Sequence, residues 1–329
     1  MATVLDEYRN VEVPVKRRSF ADRLSVSPPG LSDMLLLLWV GGLGMTRNDG
    51  DGVPILRTGL PSIGADDVAV TWVGHATYLI RACGINLLVD PVWSGRIPGV
   101  RQRLTPPGVA FAELPPIDAV LISHNHYDHL DAPTLRRLPR DTPVLAPRGL
   151  AMWFGRRGFT SVTEMDWWES TRIGGIDIDF VPAHHWSRRT LWDFCHSLWG
   201  GWVITAPDGR RLYHAGDSGY GEYFTEIGRR YPDIDVAMLP IGAYEPRWFM
   251  RPVHMCPEEA VRAASDLGAA RMAGMHWGAF ALSQEPPVEP LNRVRKAWRE
   301  AGRDPDELWD LAVGETRVLG GRDHPADHG

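Results

Sequence analysis

The chain is poor in cysteine. Only Cys83, Cys195 and Cys256 occur in 329 residues. That odd, widely spaced set excludes a disulfide framework and leads us to expect a reducing, intracellular compartment. Charge of one sign is scarce as well. Lys plus Arg number 35 against 41 Asp plus Glu, a net charge of −6. No basic surface of the kind that nucleic acid requires follows from this balance, so no nucleic-acid partner is expected. Long apolar runs are missing too. The most apolar stretch, residues 34–45 (MLLLLWVGGLGM), is well short of the ~20 residues that cross a bilayer as a helix. The opening residues lack the charged-then-apolar order and small-residue cleavage site of a secretory signal. The expectation is a cytoplasmic protein without a transmembrane helix. Peripheral contact with the inner membrane face is the membrane role left open, through residues 34–45 and Trp39. The competing reading of that stretch is a segment packed on protein.

Residues 1–60 carry few periodic features. A charged cluster, Lys16-Arg17-Arg18, and turn formers, Pro28-Pro29-Gly30 and residues 48–52 (NDGDG), break them up. From Val68 onward strand-like runs dominate: 68–73, 77–81, 86–89 and 119–123, then 202–205, 212–214, 236–240 and 272–275. The alternation Ile176-Asp-Ile-Asp-Phe-Val181 predicts a half-exposed strand. Residues 257–268 open with Pro257-Glu258-Glu259 and close at Gly268, the signature of a helix with acids at its positive end and glycine after its last turn. Leu291, Val294, Trp298 and Ala301 recur at helical spacing before Gly302. There is no internal repeat. One catalytic domain, 61–329, with an amino-terminal extension, 1–60, is the expected organisation. The extension packs on the core or forms the substrate entrance.

Tryptophan is abundant, with 14 copies. It joins large apolar area to one N–H donor. Most copies are expected in the core or in a homodimer contact, and a subset along a groove for an acyl chain.

Histidine carries the chemistry. Ser123-His124-Asn125-His126-Tyr127-Asp128-His129-Leu130 follows the apolar run 119–122 directly. Imidazole and carboxylate suit zinc. A tight turn can aim His124 and His126 at one ion while Asp128 and His129 reach a second. Two ions ~3.5–4 Å apart can hold a hydroxide between them. The plain alternative is a polar loop that happens to be rich in histidine.

H-x-H-x-D-H after a strand resembles the metallo-β-lactamase superfamily. Residues 72–77 (WVGHAT), 90–93 (DPVW), 182–190 (PAHHWSRRT), 214–220 (HAGDSGY), 241–250 (IGAYEPRWFM) and 275–280 (MHWGAF) resemble its N-acylphosphatidylethanolamine-hydrolysing phospholipase D branch. The similarity spans about 68–320; residues 1–60 lie outside it.

The resemblance implies a four-layer αββα sandwich in the α/β class and two zinc ions per chain, with other divalent transition metals as alternatives. His124, His126 and His185 would hold one ion, and Asp128, His129 and His276 the other, with Asp217 bridging. Residue pattern alone leaves His184 and His185 open, since neighbours on an extended segment point to opposite sides; the family's placement before Trp186 selects His185. Asp128 and Asp217 belong to the catalytic machinery, with His254 as the candidate that contacts phosphate or protonates the leaving group. Asp90, His75 and His184 are expected to support the histidine loop or touch substrate. Tyr244, Glu245, Arg247 and Arg251 are expected to shape the pocket and position an anionic head group. The implied reaction is release of N-acylethanolamine and phosphatidic acid by attack of a metal-bridged hydroxide on phosphorus. The substrate is a phospholipid or a small phosphorylated molecule. A sugar-phosphate lactonase is the alternative enzyme, and a non-catalytic metal-binding regulator is the alternative from another class.

Overall fold

The computed structural model describes residues 19–25, 27–28, 30–39, 50–100 and 102–320, with the side chains of residues 31, 34, 38 and 39 excepted. Lys16-Arg17-Arg18, the Trp39 side chain and residues 48 and 49 of the turn at 48–52 therefore lie outside the described residues.

Among the described residues fourteen strands form two mixed sheets of seven. The first contains β1 (Val68–Gly74), β2 (Thr77–Ala82), β3 (Ile85–Val89), β4 (Ala119–Leu121), β5 (Val144–Pro147), β6 (Val162–Met165) and, next to β1, the last strand β14 (Thr316–Leu319). The second contains β7 (Ser170–Ile173), β8 (Ile176–Val181), β9 (Gly201–Thr205), β10 (Arg211–His214), β11 (Ile234–Pro240), β12 (Arg271–Met275) and β13 (Leu308–Trp309). The helices are α1 (Leu31–Trp39), α2 (Ala132–Leu135), α3 (Ala151–Gly155), α4 (Tyr223–Arg230), α5 (Arg247–Met250), α6 (Pro257–Asp266) and α7 (Glu289–Glu300).

The sheets stack on an apolar layer. Val70, Trp72, Tyr78 and Ile80 of one sheet join Ile178, Phe180, Trp202 and Ile204 of the other in one buried cluster. Phe180 and Trp202 meet with ring centroids 4.6 Å apart. Each such side chain contributes roughly 1.5–3 kcal/mol by leaving water. The same cluster continues through the second sheet to Ala260, Val261, Leu291, Val294 and Trp298 of α6 and α7. Outside the first sheet, Val120, Ile122 and Val144 pack against Leu135 of α2 and Phe154 of α3. Helix, sheet, sheet, helix is the four-layer αββα sandwich that the sequence resemblance implies.

Most strands expected from apolar runs recur within two residues. One expectation is corrected. β8 is not half-exposed: of its residues only Asp177 is more than slightly accessible. Asp179, at 8% exposure, is tolerated because Ser170 donates to it and Tyr231 bonds to it. Tryptophan serves mainly the interior, with Trp72, Trp199, Trp202 and Trp298 fully buried. Parts of 1–60 touch the core. Phe20 and Val53 join the main apolar cluster, and Leu56 N donates to Val313 O at 2.9 Å. Among the described residues no helix is long and apolar enough to cross a membrane.

Candidate metal centre

Strand direction assembles the site. β1, β3 and β4 run one way in the first sheet, and β8, β10, β11 and β12 share one direction in the second. The residues just past their carboxyl ends include His75, Asp90, the loop 123–130, His185, Asp217 and His276. Backbone leaving a sheet edge is freed from the ladder, and ligand sites gather there in open α/β sheets. His75, Asp90 and His276 leave their strands with φ of 56°, 42° and 64°. Residues with a Cβ rarely adopt that conformation, and such strain collects at functional sites.

Two buried carboxylates form the centre. Asp217 Oδ2 lies 3.1 Å from Nε2 of both His129 and His276, 3.8 Å from His124 Nε2 and 3.9 Å from His185 Nε2. Asp128 Oδ2 lies 3.1 Å from His75 Nε2, 3.2 Å from His276 Nε2 and 3.7 Å from His129 Nε2. Donor atoms of His124, His126, His185 and Asp217 fall within 4.8 Å of one another, as do those of His75, Asp128, His129 and His276. The fold thus brings all seven sequence-derived metal candidates into one place and adds His75.

The arrangement fits divalent transition metal. His124 Nε2, His129 Nε2 and Asp217 Oδ1 are buried without a hydrogen-bond partner, a costly state unless something else occupies those atoms. The far nitrogens are tied down. His129 Nδ1 donates to Asp90 Oδ2 at 2.8 Å, His185 Nδ1 to Val253 O at 3.1 Å, and His124 Nδ1 pairs with Ser123 Oγ at 2.9 Å. A ring fixed at one nitrogen presents the other to a metal. Burial, with help from neighbouring imidazoles, holds His124 and His185 well below the usual histidine range. Burial pushes His126 down to about 4, and burial together with His276 pushes His75 down to about 3. For His276, burial opposes charge, but Asp217 and Asp128 outweigh it and raise the ring to about 9. Asp128 and Asp217 stay ionised against their burial, chiefly through His129. The site therefore draws positive charge inward, which a bound cation supplies directly.

The profile described as beta-lactamase superfamily domain matches residues 85–277, the stretch holding every one of these donors except His75. The chain belongs to the metallo-β-lactamase superfamily. It is 39% identical over 257 residues to an uncharacterized protein of Mycobacterium tuberculosis, covering 74% of this chain and 68% of that one. It is 36% identical over 268 residues to N-acyl-phosphatidylethanolamine-hydrolyzing phospholipase D 1 of Caenorhabditis elegans, covering 74% and 75%. Among solved structures, an isothiocyanate hydrolase from Delia radicum gut bacteria superposes with a TM-score of 0.63 at 21% identity, covering 76% and 98%, which speaks to the fold. As a superfamily member the chain is a metal-dependent hydrolase.

The structure separates the remaining candidates. His185 enters the centre. His184 turns away, stacks on Tyr223 at 4.6 Å and packs so tightly over Gly221 that a Cβ there would sit 2.2 Å from its ring. His254 faces the centre, its ring 5.2 Å from His185 and 5.4 Å from His276, with Nδ1 buried and unpartnered. Burial pushes it down to about 4. Asp90 supports the histidine loop, accepting from Ser123 N at 2.7 Å, Ser123 Oγ at 2.6 Å and His129 Nδ1.

Four further candidates hold contacts at the edge of the site. Tyr244 is buried away from the histidines and donates to Glu289 Oε1 of α7 at 2.8 Å. Glu245 accepts from Arg247 N at 3.0 Å at the start of α5. Arg247 is committed to His254 O at 3.0 Å and Glu259 Oε2 at 2.7 Å, so its guanidinium is spent on the loop. Arg251 is 74% exposed and 3.6 Å from Glu259. Arg247 reaches the site only through the His254 carbonyl, and the other three bond elsewhere, to Glu289, to the start of α5 and to Glu259.

Two supports went unread in the sequence. Ser123 links Asp90 to His124. Arg189 Nη1 donates to Asn125 O and Leu130 O, each at 2.7 Å, clamping the histidine loop from outside, while its guanidinium covers the Tyr127 ring at 4.1 Å. The signal available was its place in the 182–190 block.

Proposed function

We propose that this hydrolase is a phosphodiesterase of the phospholipase D type that cleaves N-acylphosphatidylethanolamine to N-acylethanolamine and phosphatidic acid. The observation that carries the reading is the pair of donor groups facing a shared Asp217. In this reading His124, His126 and His185 hold one zinc ion and Asp128, His129 and His276 the other, with Asp217 common to both. Such a pair supplies Lewis acidity toward phosphoryl oxygens and water ionised near neutral pH. The donor set also admits other divalent transition metals.

The chain's own residues orient and move protons. Asp90, through Ser123 and His129, fixes the loop that carries four donors. Water adds its oxygen to phosphorus, the bond to the ethanolamine oxygen breaks, and that oxygen needs a proton. The attacking water releases one proton; in this reading His254, neutral and facing the centre, takes it up at one ring nitrogen and passes a proton to the leaving oxygen, so the ring ends neutral. A cavity of about 790 Å³, reaching the histidine loop at Tyr127 but lined by none of the donors, is walled by Ile97, Val100, Tyr127 and Pro133, together with Arg96, Arg136, Arg189 and the acid Asp131. Apolar wall plus guanidinium suits an amphiphilic anion. Relatedness to the nematode phospholipase adds support for the substrate. The same arginines favour a second reading, hydrolysis of a small phosphorylated lactone.

The test is turnover of N-acylphosphatidylethanolamine in mixed micelles by metal-quantified protein, with Asp217→Asn as control. Release of N-acylethanolamine by the native protein alone supports the reading. Silence on the lipid with two metals bound, and turnover of a phosphorylated lactone, moves the assignment to the second.

A further inference from the structure

The loop between His185 and Trp199 places two large apolar side chains in water. Leu191 is 75% and Trp192 79% exposed. Exposed apolar pairs are common on loose termini; this one sits on a fixed mount. Cys195 N donates to Ser187 O at 2.8 Å, closing the loop's base. Asp193 Oδ1 accepts from Arg189 N at 3.0 Å and Thr190 N at 2.7 Å, and Tyr127 OH donates to Arg189 O at 2.8 Å. The tip is held out, not left over. Its inner side reaches the metal centre: Phe194 packs on Trp186 at 5.8 Å, and Trp186 meets the His126 ring edge-on at 4.7 Å.

Positive charge gathers beside the tip. Arg189 lies 5.4 Å from the Trp153 ring and Arg157 covers the same ring at 3.7 Å. Burial, then Arg136 and Arg156, lower the Arg157 pKa, so these guanidiniums crowd one another. Among the described residues no carboxylate ion-pairs with Arg136, Arg156, Arg157 or Arg188. Asp193 and Asp131 offset part of the charge of Arg189 without pairing with the other four. In a chain of net charge −6, these arginines outnumber the nearby acids Asp131 and Asp193, a local excess of positive charge that complements an anionic partner.

We propose that Leu191 and Trp192, with the surrounding arginines, form the face by which this protein docks on an anionic lipid bilayer. The tip enters the acyl boundary and the arginines meet head-group phosphates. Tryptophan suits that boundary because one edge is apolar and one donates. This face differs from the stretch 34–45 that the sequence suggested. It extends the lipid reading of the site, but its test reads binding, not turnover.

The experiment is flotation of the full-length, metal-loaded protein with phosphatidylcholine vesicles, with and without phosphatidylglycerol. Native protein should float with the anionic vesicles, and added salt should weaken the association. Leu191→Ser with Trp192→Ser should lower the partition coefficient at least about tenfold. Arg136→Glu with Arg156→Glu should lower it by a similar factor on anionic vesicles and leave any neutral-vesicle binding alone. All four positions are at the surface, so unfolding midpoints should not move. Absence of native binding, or equal binding by both double variants, overturns the proposal. So does a shift from dimer to monomer in Leu191→Ser/Trp192→Ser with vesicle binding unchanged, which would assign the tip to a second copy of the chain. Vesicle binding without lipid turnover leaves this inference standing and removes the substrate assignment alone.

Discussion

Asp90 Oδ2 lies 2.8 Å from His129 Nδ1, and the same oxygen accepts from Ser123 Oγ at 2.6 Å. One carboxylate at the end of β3 thereby orients two histidines of the β4 loop, His129 directly and His124 through Ser123. Asp90→Asn keeps the size but loses the charge and one acceptor position. Metal affinity should drop about 10–100-fold, the range for outer partners of metal-binding histidines. A competition titration with a chelating dye measures this. Native affinity in Asp90→Asn would remove the orienting role.

His184 and His185 provide a paired test. His185→Ala should lower metal affinity by more than about 100-fold, beyond the range of outer partners. His184→Ala should leave metal content unchanged and cost stability alone, since the ring fills space over Gly221. Elemental analysis after dialysis separates them; the reverse order of effects would exchange their assignments.

Arg247 should act through His254. Arg247→Ala releases the His254 carbonyl and Glu259 together. We expect kcat to fall about ten- to a hundredfold from misplacement of a proton donor, with metal content intact and partial rescue by Arg247→Lys. A rise in KM with kcat unchanged would instead restore Arg247 as a substrate contact.

Gly216 is the small residue that lets the β10 end approach the β4 loop. It has φ +60°, and a Cβ there would meet Ser123 Cβ at 2.7 Å and Gly200 O at 2.8 Å. Gly216→Ala combines left-handed strain with overpacking, a cost on the order of 3 kcal/mol. The unfolding midpoint should drop by roughly 5–10 °C in calorimetry. An unchanged midpoint would show that β10 and the β4 loop can separate freely.

The apolar runs displayed the strands and the loop spacing displayed four donors, while the sandwich and the donors His185, Asp217 and His276 came from the family resemblance. What the sequence hid has local causes. Ile176–Val181 alternates, yet both faces are covered, because Ser170 and Tyr231 supply partners for Asp179. Tyr244, Glu245, Arg247 and Arg251 stand beside the site in sequence, but Tyr244 bonds Glu289, Glu245 N bonds Glu285, Arg247 bonds Glu259 as well as the His254 carbonyl, and Arg251 pairs with Glu259, acids that no local pattern connects to them. Ser123 and Arg189 went unread for a related reason. One acts through a single hydroxyl and the other through carbonyls 59 and 64 positions away, and neither distance leaves a periodic trace.

The donors come from both sheets. His124, His126, Asp128 and His129 follow β4, whereas His185, Asp217 and His276 follow β8, β10 and β12 of the opposite sheet. A nascent chain that has made only its first half owns no shared carboxylate, because Asp217 has not yet emerged. Both four-residue donor groups are therefore complete only when the second sheet has docked on the first, which makes their geometry a direct report on whether the two halves of the chain have closed.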